Sequence, residues 1–536
     1  MATTNIQSFS GDVDITSNVL MNGEVFIKKD GGTKNIGIGY LAGSNTQGAS
    51  AVAIGETAGQ IGQGDSAVAV GRQAGYSAQG SYATAVGYQA GYSAQGSYTT
   101  AVGNQAGLTS QGNFSTAVGN GAGQTSQGFC AVAVGDNAGK TNQGSFAVAV
   151  GEQAGYSNQG SSAIAIGKYA GSYVQGSFAV SIGNEAGRLS QSVSAVAVGN
   201  AAGKCQQGVS AVAVGEQAGF SGQNNYATAI GYSAGVYSQG SSAVAVGDSA
   251  GYVSQQANTV AMGYFAGYSL QGKSAVAVGR QAGSTSQGSH AIAIGTNTGR
   301  YSQGTNALAI GESAGRENQE SHAIAMGFEA GYVDQGSYAI ALGDKAGLDT
   351  QGIRAIAVGE SAGYTNQQAN TVATGYFAGY NAQGINSIAI GNSSGYLSQK
   401  ANNVAIGYFA GHSLQNTYSV AIGYEAGRSN QNAYSVAMGY QAGLTSQDSY
   451  AVAVGYLAGQ SNQELYTVAV GYLAGHSGQG LSAIAVGDNA GLIGQNTSSV
   501  ALGVNAGRTA QRRFATAVGR LAGQTDQGDS AVAIGN

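Results

Sequence analysis

Histidine, cysteine, carboxylate and tyrosine are the side chains here that could do chemistry, and their positions follow a unit of sixteen residues repeated along the chain. His290 and His322 share a column of that unit but lie two units apart, on the order of 10 Å if each unit advances by one strand spacing. No cysteine or carboxylate accompanies them at ligand spacing, so a metal centre is not indicated and exposed surface histidines are the better reading. Cys130 and Cys205 occupy different columns several units apart, on the order of 20 Å, which is beyond disulfide reach. Glu56, Asp136, Glu152 and Asp248 all fall beside a glycine at a variable corner and read as solubilising charges. Recurrent glycine pairs lack the strand-to-helix context and the Lys-Ser/Thr of a phosphate-binding loop. The expectation is a protein without catalytic residues, cofactor or metal.

Tyrosine is the one surface signal above this background. Tyr408, Tyr424, Tyr440, Tyr456 and Tyr472 occupy one column in five successive units, and Tyr418, Tyr434, Tyr450 and Tyr466 another in four. At strand spacing the rings would stack into ladders. Stabilisation, a chain interface and a carbohydrate-contacting stripe are the three uses such a ladder could have. An ice-binding face would instead need regular rows of threonine, and the threonines here are scattered.

The elements that position these residues follow from the repeat, written out in Ala51 to Ser66 as A-V-A-I-G-E-T-A-G-Q-I-G-Q-G-D-S. From residue 35 to residue 536 the period holds without insertion or deletion, and residues 1–34 stand outside it as a small β cap or attachment segment. In that segment Val13, Ile15, Val19, Val25 and Ile27 alternate with polar residues, and Asn22-Gly23 is a hairpin signal. Within the repeat, a glycine recurs as Gly39, Gly55 and Gly71, a second as Gly43, Gly59 and Gly75, and a glutamine as Gln47, Gln63, Gln79 and Gln95. A unit this short, rich in valine and isoleucine and punctuated by glycine, indicates strands rather than helix pairs. Ala51 to Ile54 gives a first strand, Ala58-Gly59 a corner, Tyr76 to Gln79 a second strand, and Gly80 the second corner. That last column is relaxed to Asn224, Asn416, Asn432 and Asp448, which suggests positive φ, although Lys400 and Arg512 break the rule. The predicted fold is all-β, a parallel β-solenoid with two short strands per coil, and thirty-odd coils would make a rod on the order of 150 Å long.

Column identities bear on what is inside. The Ala53 column stays alanine except at Gly37 and Ser181, and the Ala58 column is nearly as strict, whereas the Val52 column accepts Thr84, Thr100 and Thr116. Strict smallness points to two closely pressed sheets, because one extra methylene in a packed interior costs about 1–3 kcal/mol. This places alanine and glutamine inside, with Gln47, Gln63, Gln79 and Gln95 as an amide ladder, Ala53 and Ala58 as the tight lining, and Gly55 and Gly59 at corners. Valine and isoleucine would then form an outward apolar stripe that other chains must cover. The alternative, valine and isoleucine inside a monomeric roll, stays open at this point.

The A-V-A-I-G units resemble the S-V-A-I-G-x-x-A/S repeats of the YadA-like head of trimeric autotransporter adhesins, and similar repeats occur in viral fibres. The likeness covers about 500 residues. It implies a left-handed β-roll with three chains side by side and a role in surface adhesion. The G-D-V-D-I-T-S-N-V-L segment near the N-terminus is likewise similar to short segments of viral tail fibres. This unit is sixteen residues long where the family's is usually fourteen, and signal peptide, coiled-coil stalk and membrane barrel are not visible. The expected setting is therefore a virion surface or another extracellular fibre.

Composition sets the remaining bounds. The chain has 536 residues with 92 glycines, no proline and no tryptophan, 43% hydrophobic and 8% charged residues, and a net charge of -5. That balance is neither collagen-like nor disordered, and it lacks the basic surface that nucleic-acid binding needs. No apolar run reaches the eighteen residues of a membrane span. The expected function is a structural fibre or filament that assembles with copies of itself, as a trimer or end to end through the strand edge of the last repeat. The alternative is an adhesive fibre that binds a receptor or a surface glycan through its tyrosine stripe.

Overall fold

Alternation in V-A-I leaves room for only three residues of extended chain before glycine turns it, and the architecture is built from such pieces. The computed structural model describes the backbone of residues 19–21 and 24–28 and all of residues 34–536. It is an all-β parallel solenoid of about 31 coils, each of sixteen residues with two short strands. Two compact units divide the chain, Met1–Asn258 and Thr259–Asn536. The boundary expected between residues 34 and 35 falls inside the first.

At the N-terminus β1 (Val19–Met21) pairs antiparallel with β2 (Glu24–Lys28), with Met21 opposite Glu24. The register is that of a two-residue hairpin, although Asn22 and Gly23 themselves, like Val13 and Ile15, lie outside the described residues. β2 in turn pairs antiparallel with β3 (Ile36–Ile38), the first strand of the solenoid. The coils then follow as β4 (Asn45–Gln47), β5 (Val52–Ile54), β6 (Ile61–Gln63), β7 (Val68–Val70) and β8 (Ser77–Gln79). Strands pair only with their equivalents one coil away. Val52, Ala53 and Ile54 face Val68, Ala69 and Val70, and Ile61 and Gln63 face Ser77 and Gln79. Within each unit this produces two sheets, one of first strands and one of second strands.

Both corners are β-turns. Ala58 N–H donates to Gly55 O at 3.2 Å, and Ala67 N–H to Gly64 O at 3.3 Å. Thr57 and Ser66, third in these turns, have φ of 53° each, which makes them type II. The later copies put Gln73 and Tyr82 in the same left-handed state, at 60° and 59°. A third left-handed residue sits in the middle of the second strand, as Ala78 at 52°, so that only its neighbours Ser77 and Gln79 pair with the next coil.

This corrects the sequence expectation for the second corner. Gly64 and Gly80 do not have left-handed φ; a Cβ on Gly80 would meet Gly96 C at 2.5 Å and Ser97 N at 2.5 Å in the next coil. Close approach of neighbouring corners, rather than backbone handedness, favours glycine there. Lys400 and Arg512 are accordingly tolerated without positive φ. Left-handed strain costs about 1–2 kcal/mol for each non-glycine residue, and the N–H groups it aims at the previous coil offset part of that. Gln73 N–H donates to Glu56 O at 2.9 Å, and Tyr82 N–H to Asp65 O at 2.8 Å.

The core is a thin filling of alanine and glutamine. Ala51, Ala53 and Ala58 are fully buried, the alanines of their columns stay buried until the last coil, where Ala531 and Ala533 are half-buried, and one continuous alanine cluster runs from Ala42 to Ala170. Val52 is half-buried on the other face of the strand and Ile54 is exposed. Valine and isoleucine therefore point outward, and the second arrangement left open by the sequence is not the one adopted.

Candidate functional site

Three features run parallel to the stacking direction: the buried amide column, the outward apolar rows and the aromatic stacks. The amides come first because they hold the two sheets at a fixed separation. Gln63 Nε2 donates to Val52 O at 2.9 Å and to Ala67 O at 3.2 Å, so a side chain of the second strand reaches two main-chain carbonyls on the first-strand side, where Val52 N–H also donates to Ala67 O. Gln79 repeats this with Val68 O and Ala83 O, and Gln95 with Thr84 O. Gln47, in the first coil, is only half-buried and donates to Gln63 Oε1 at 2.9 Å. Amide-to-amide bonds of 3.0 to 3.1 Å then link Gln143 through Gln239, and others link Gln271 through Gln383. Before the first of these stretches the column has a different character: Oε1 of Gln79, Gln95, Gln111 and Gln127 is buried without a hydrogen-bond partner. Sheet bridging is thus the duty of the glutamine from Gln63 onward, and the amide ladder is added to it along much of the column. Gly59, at φ 50°, leaves room for this group, since a Cβ there would lie 2.6 Å from Gln63 Oε1.

Outward, the Val52 and Ile54 columns make two apolar rows on the face of the first sheet. Ile166, Ile182 and Ile230 are about two-fifths exposed, as are Met262, Ile294 and Met326 in the second unit. Among the described residues they stay partly open to solvent.

The tyrosine columns form stacks. Rings of Tyr408, Tyr424, Tyr440, Tyr456 and Tyr472 follow one another at 5.0 to 5.1 Å with interplanar angles of 5 to 11°. Tyr418, Tyr434, Tyr450 and Tyr466 do the same at 5.0 to 5.2 Å. Face-to-face stacking leaves ring edges and hydroxyls toward solvent, whereas a sugar packs against a ring face. Burial and the adjacent Glu425 carboxylate raise the Tyr424 phenol above its ordinary pKa, so it is neutral at pH 7.

Among the described residues no group of three His, Cys, Asp or Glu side chains gathers at metal-binding distance. His290 is exposed, and His322 stacks on Tyr338 at 4.7 Å. Both cysteines are free. Two shallow polar grooves, of about 520 and 430 Å³, are lined by equivalent columns, including Asn430, Asp448 and Glu464 in one and Ser302, Asn318 and Glu320 in the other. In the second, Ser337 Oγ donates to Glu320 Oε2 at 2.6 Å on the exposed surface, and no histidine lines either groove. No helix among the described residues is long and apolar enough to cross a membrane.

His412 adds a pH dependence. It stacks on Tyr396 at 4.9 Å and packs against Phe409, and burial, then the Arg428 charge, lowers its pKa below the ordinary imidazole value. The unfolded chain therefore binds the proton more readily than the folded one, so this stability is complete above about pH 6.5 and is lost as pH falls through the folded value. The urea midpoint is expected to drop between about pH 7.5 and about pH 5.5, and to drop less in His412→Gln. An equal drop in that variant would assign the effect elsewhere.

Compared with protein-family models and with curated proteins, the chain matches none.

Proposed function

We propose that the protein is a non-enzymatic structural component of a fibre, in which copies lie side by side along the outward valine and isoleucine rows. The observation that carries this reading is that those outward rows are half-buried to exposed in coil after coil, with Ile166, Ile182, Ile230, Met262, Ile294 and Met326 among the exposed residues. Soluble monomers rarely leave an apolar patch beyond roughly 300–600 Å² uncovered. A second copy is the partner that fits best, because its rows have the same coil spacing, so a contact made once is made again in every coil. Constant repeat length keeps that register from coil to coil within each unit. The resemblance of the A-V-A-I-G unit to adhesin-head and viral-fibre repeats supports three chains per assembly and a place outside the cell or on a virion.

Sedimentation and light scattering test this. The intact chain should give a mass that is a multiple of 52.9 kDa. Lysine at Ile166, Val198 and Ile230, in alternate coils of the row, should return it to the single-chain mass with its circular dichroism unchanged. A wild-type mass of one chain at micromolar concentration would overturn the proposal.

A further inference from the structure

We propose that the stacked tyrosine columns are sites of oxidative modification, in which neighbouring coils become joined by dityrosine. The inference stands on the geometry of a single chain and does not depend on lateral association. In the column from Tyr408 to Tyr472 each ring lies 5.0 to 5.1 Å from the next, nearly parallel, and each is about two-fifths to one-half exposed. The spacing is imposed by the main chain, since Val404, Ala405 and Ile406 pair in register with Val420, Ala421 and Ile422 in the coil that follows. A second phenol is thus held beside the first at an effective concentration that no dissolved partner reaches. Exposure of the ring edges admits an oxidant to the hydroxyl and to the ortho carbons, where coupling occurs.

The chemistry needs a one-electron oxidant of the peroxidase class with hydrogen peroxide. Two adjacent phenols each lose one electron and one proton, and the peroxide takes up both pairs and leaves as two waters. The two phenoxyl radicals form one carbon-carbon bond between ring positions ortho to the oxygens. Each of those carbons then passes its hydrogen to the ring oxygen, which restores both phenols, and the chain has lost two hydrogens for every link. Each link is a covalent staple between coils otherwise held by hydrogen bonds and packing. Tyr226 and Tyr232 supply the comparison: they are as exposed as the ladder rings but stand in no ring stack.

The experiment treats the full chain with a haem peroxidase and hydrogen peroxide, and follows dityrosine fluorescence and cross-linked peptides by mass spectrometry. Links are expected between residues sixteen apart, Tyr408 to Tyr424 and onward, and Tyr418 to Tyr434 and onward, with a yield per chain that does not change on tenfold dilution. The double variant Tyr424→Phe, Tyr456→Phe keeps the rings stacked but leaves Tyr408, Tyr440 and Tyr472 two coils apart. It should lose every link in that column, while the Tyr418 to Tyr466 column, as an internal control of folding, links as before. Links that persist in the first column of the double variant would overturn the proposal. So would links that involve Tyr226 or Tyr232 as often as the ladder, or a yield that falls in proportion to dilution.

Discussion

Replacing Gln319 by leucine should lower unfolding stability by roughly 3–5 kcal/mol, several times the effect of the same change at Gln95, although the two residues occupy one column. Gln319 is fully buried, and its Nε2 donates to Leu308 O at 2.9 Å, Ala323 O at 3.3 Å and Gln335 Oε1 at 3.0 Å. Its Oε1 accepts from Gln303 Nε2 at 3.0 Å. Leucine fills a similar volume and supplies none of these bonds. Two carbonyl oxygens on the first-strand side and both neighbouring amides would lose a partner where no water reaches, and a buried group left without one costs about 1–3 kcal/mol. At Gln95 the Nε2 reaches Thr84 O at 3.1 Å, while the Oε1 already lacks a partner. Fewer groups are orphaned there. Urea unfolding followed by circular dichroism measures the difference, with hydrogen exchange at the flanking coils to detect local opening, since stability in a stacked repeat is nearly a sum over neighbours. Equal losses at the two positions would show that main-chain bridging matters and that the amide ladder contributes nothing.

The same column shows what a sequence can and cannot disclose in a fold of this kind. Strict alanine at the Ala53 and Ala58 positions is legible as a steric limit, and the unbroken recurrence of glutamine as a buried polar requirement, because interior positions repeat the same demand in every coil. Parallel in-register pairing follows from the constant period, and stacked rings from tyrosines one period apart. Backbone handedness is harder to read. Positive φ is habitually assigned to glycine, yet at Gly80 glycine answers a clash with the next coil, and the left-handed residues are Gln73, Ala78 and Tyr82. A signal was present at the Ala78 column, where Gly62, Ser126, Asn142 and Gly222 stand in other coils, a set typical of left-handed positions. At the Tyr82 column aromatic residues hide it. Ring orientation is also beyond the sequence: a column of tyrosines does not say whether faces or edges meet the solvent, and here it is the edges.

Gly327→Ala should be the more damaging of two changes that look alike, with a loss above about 3 kcal/mol, while Gly288→Asn should stay within about 1 kcal/mol of wild type. Gly327 ends a first strand at φ 132°, a region that side-chain-bearing residues rarely enter, and a Cβ there would lie 2.4 Å from Gly343 O and 2.7 Å from Gly343 C. Both atoms belong to the main chain of the next coil, which its own ladder holds in place, so neither can move aside cheaply. Backbone strain contributes about 1–3 kcal/mol and forced overpacking about as much again. The column agrees, for it is glycine without exception from Gly39 to Gly535. Gly288 is also closely approached, with Gly304 C and Thr305 N each 2.6 Å from a built Cβ. Its φ lies outside the left-handed region, however, and Asn224, Glu320, Lys400 and Asn432 occupy the same place in other coils. The turn thus accommodates a side chain in those coils, whereas the strand end carries none in any coil. Comparable losses in the two variants would mean that coil contact alone decides glycine use. A large loss confined to Gly327→Ala would show that left-handed geometry at the strand end, together with that contact, is what fixes the sixteen-residue coil.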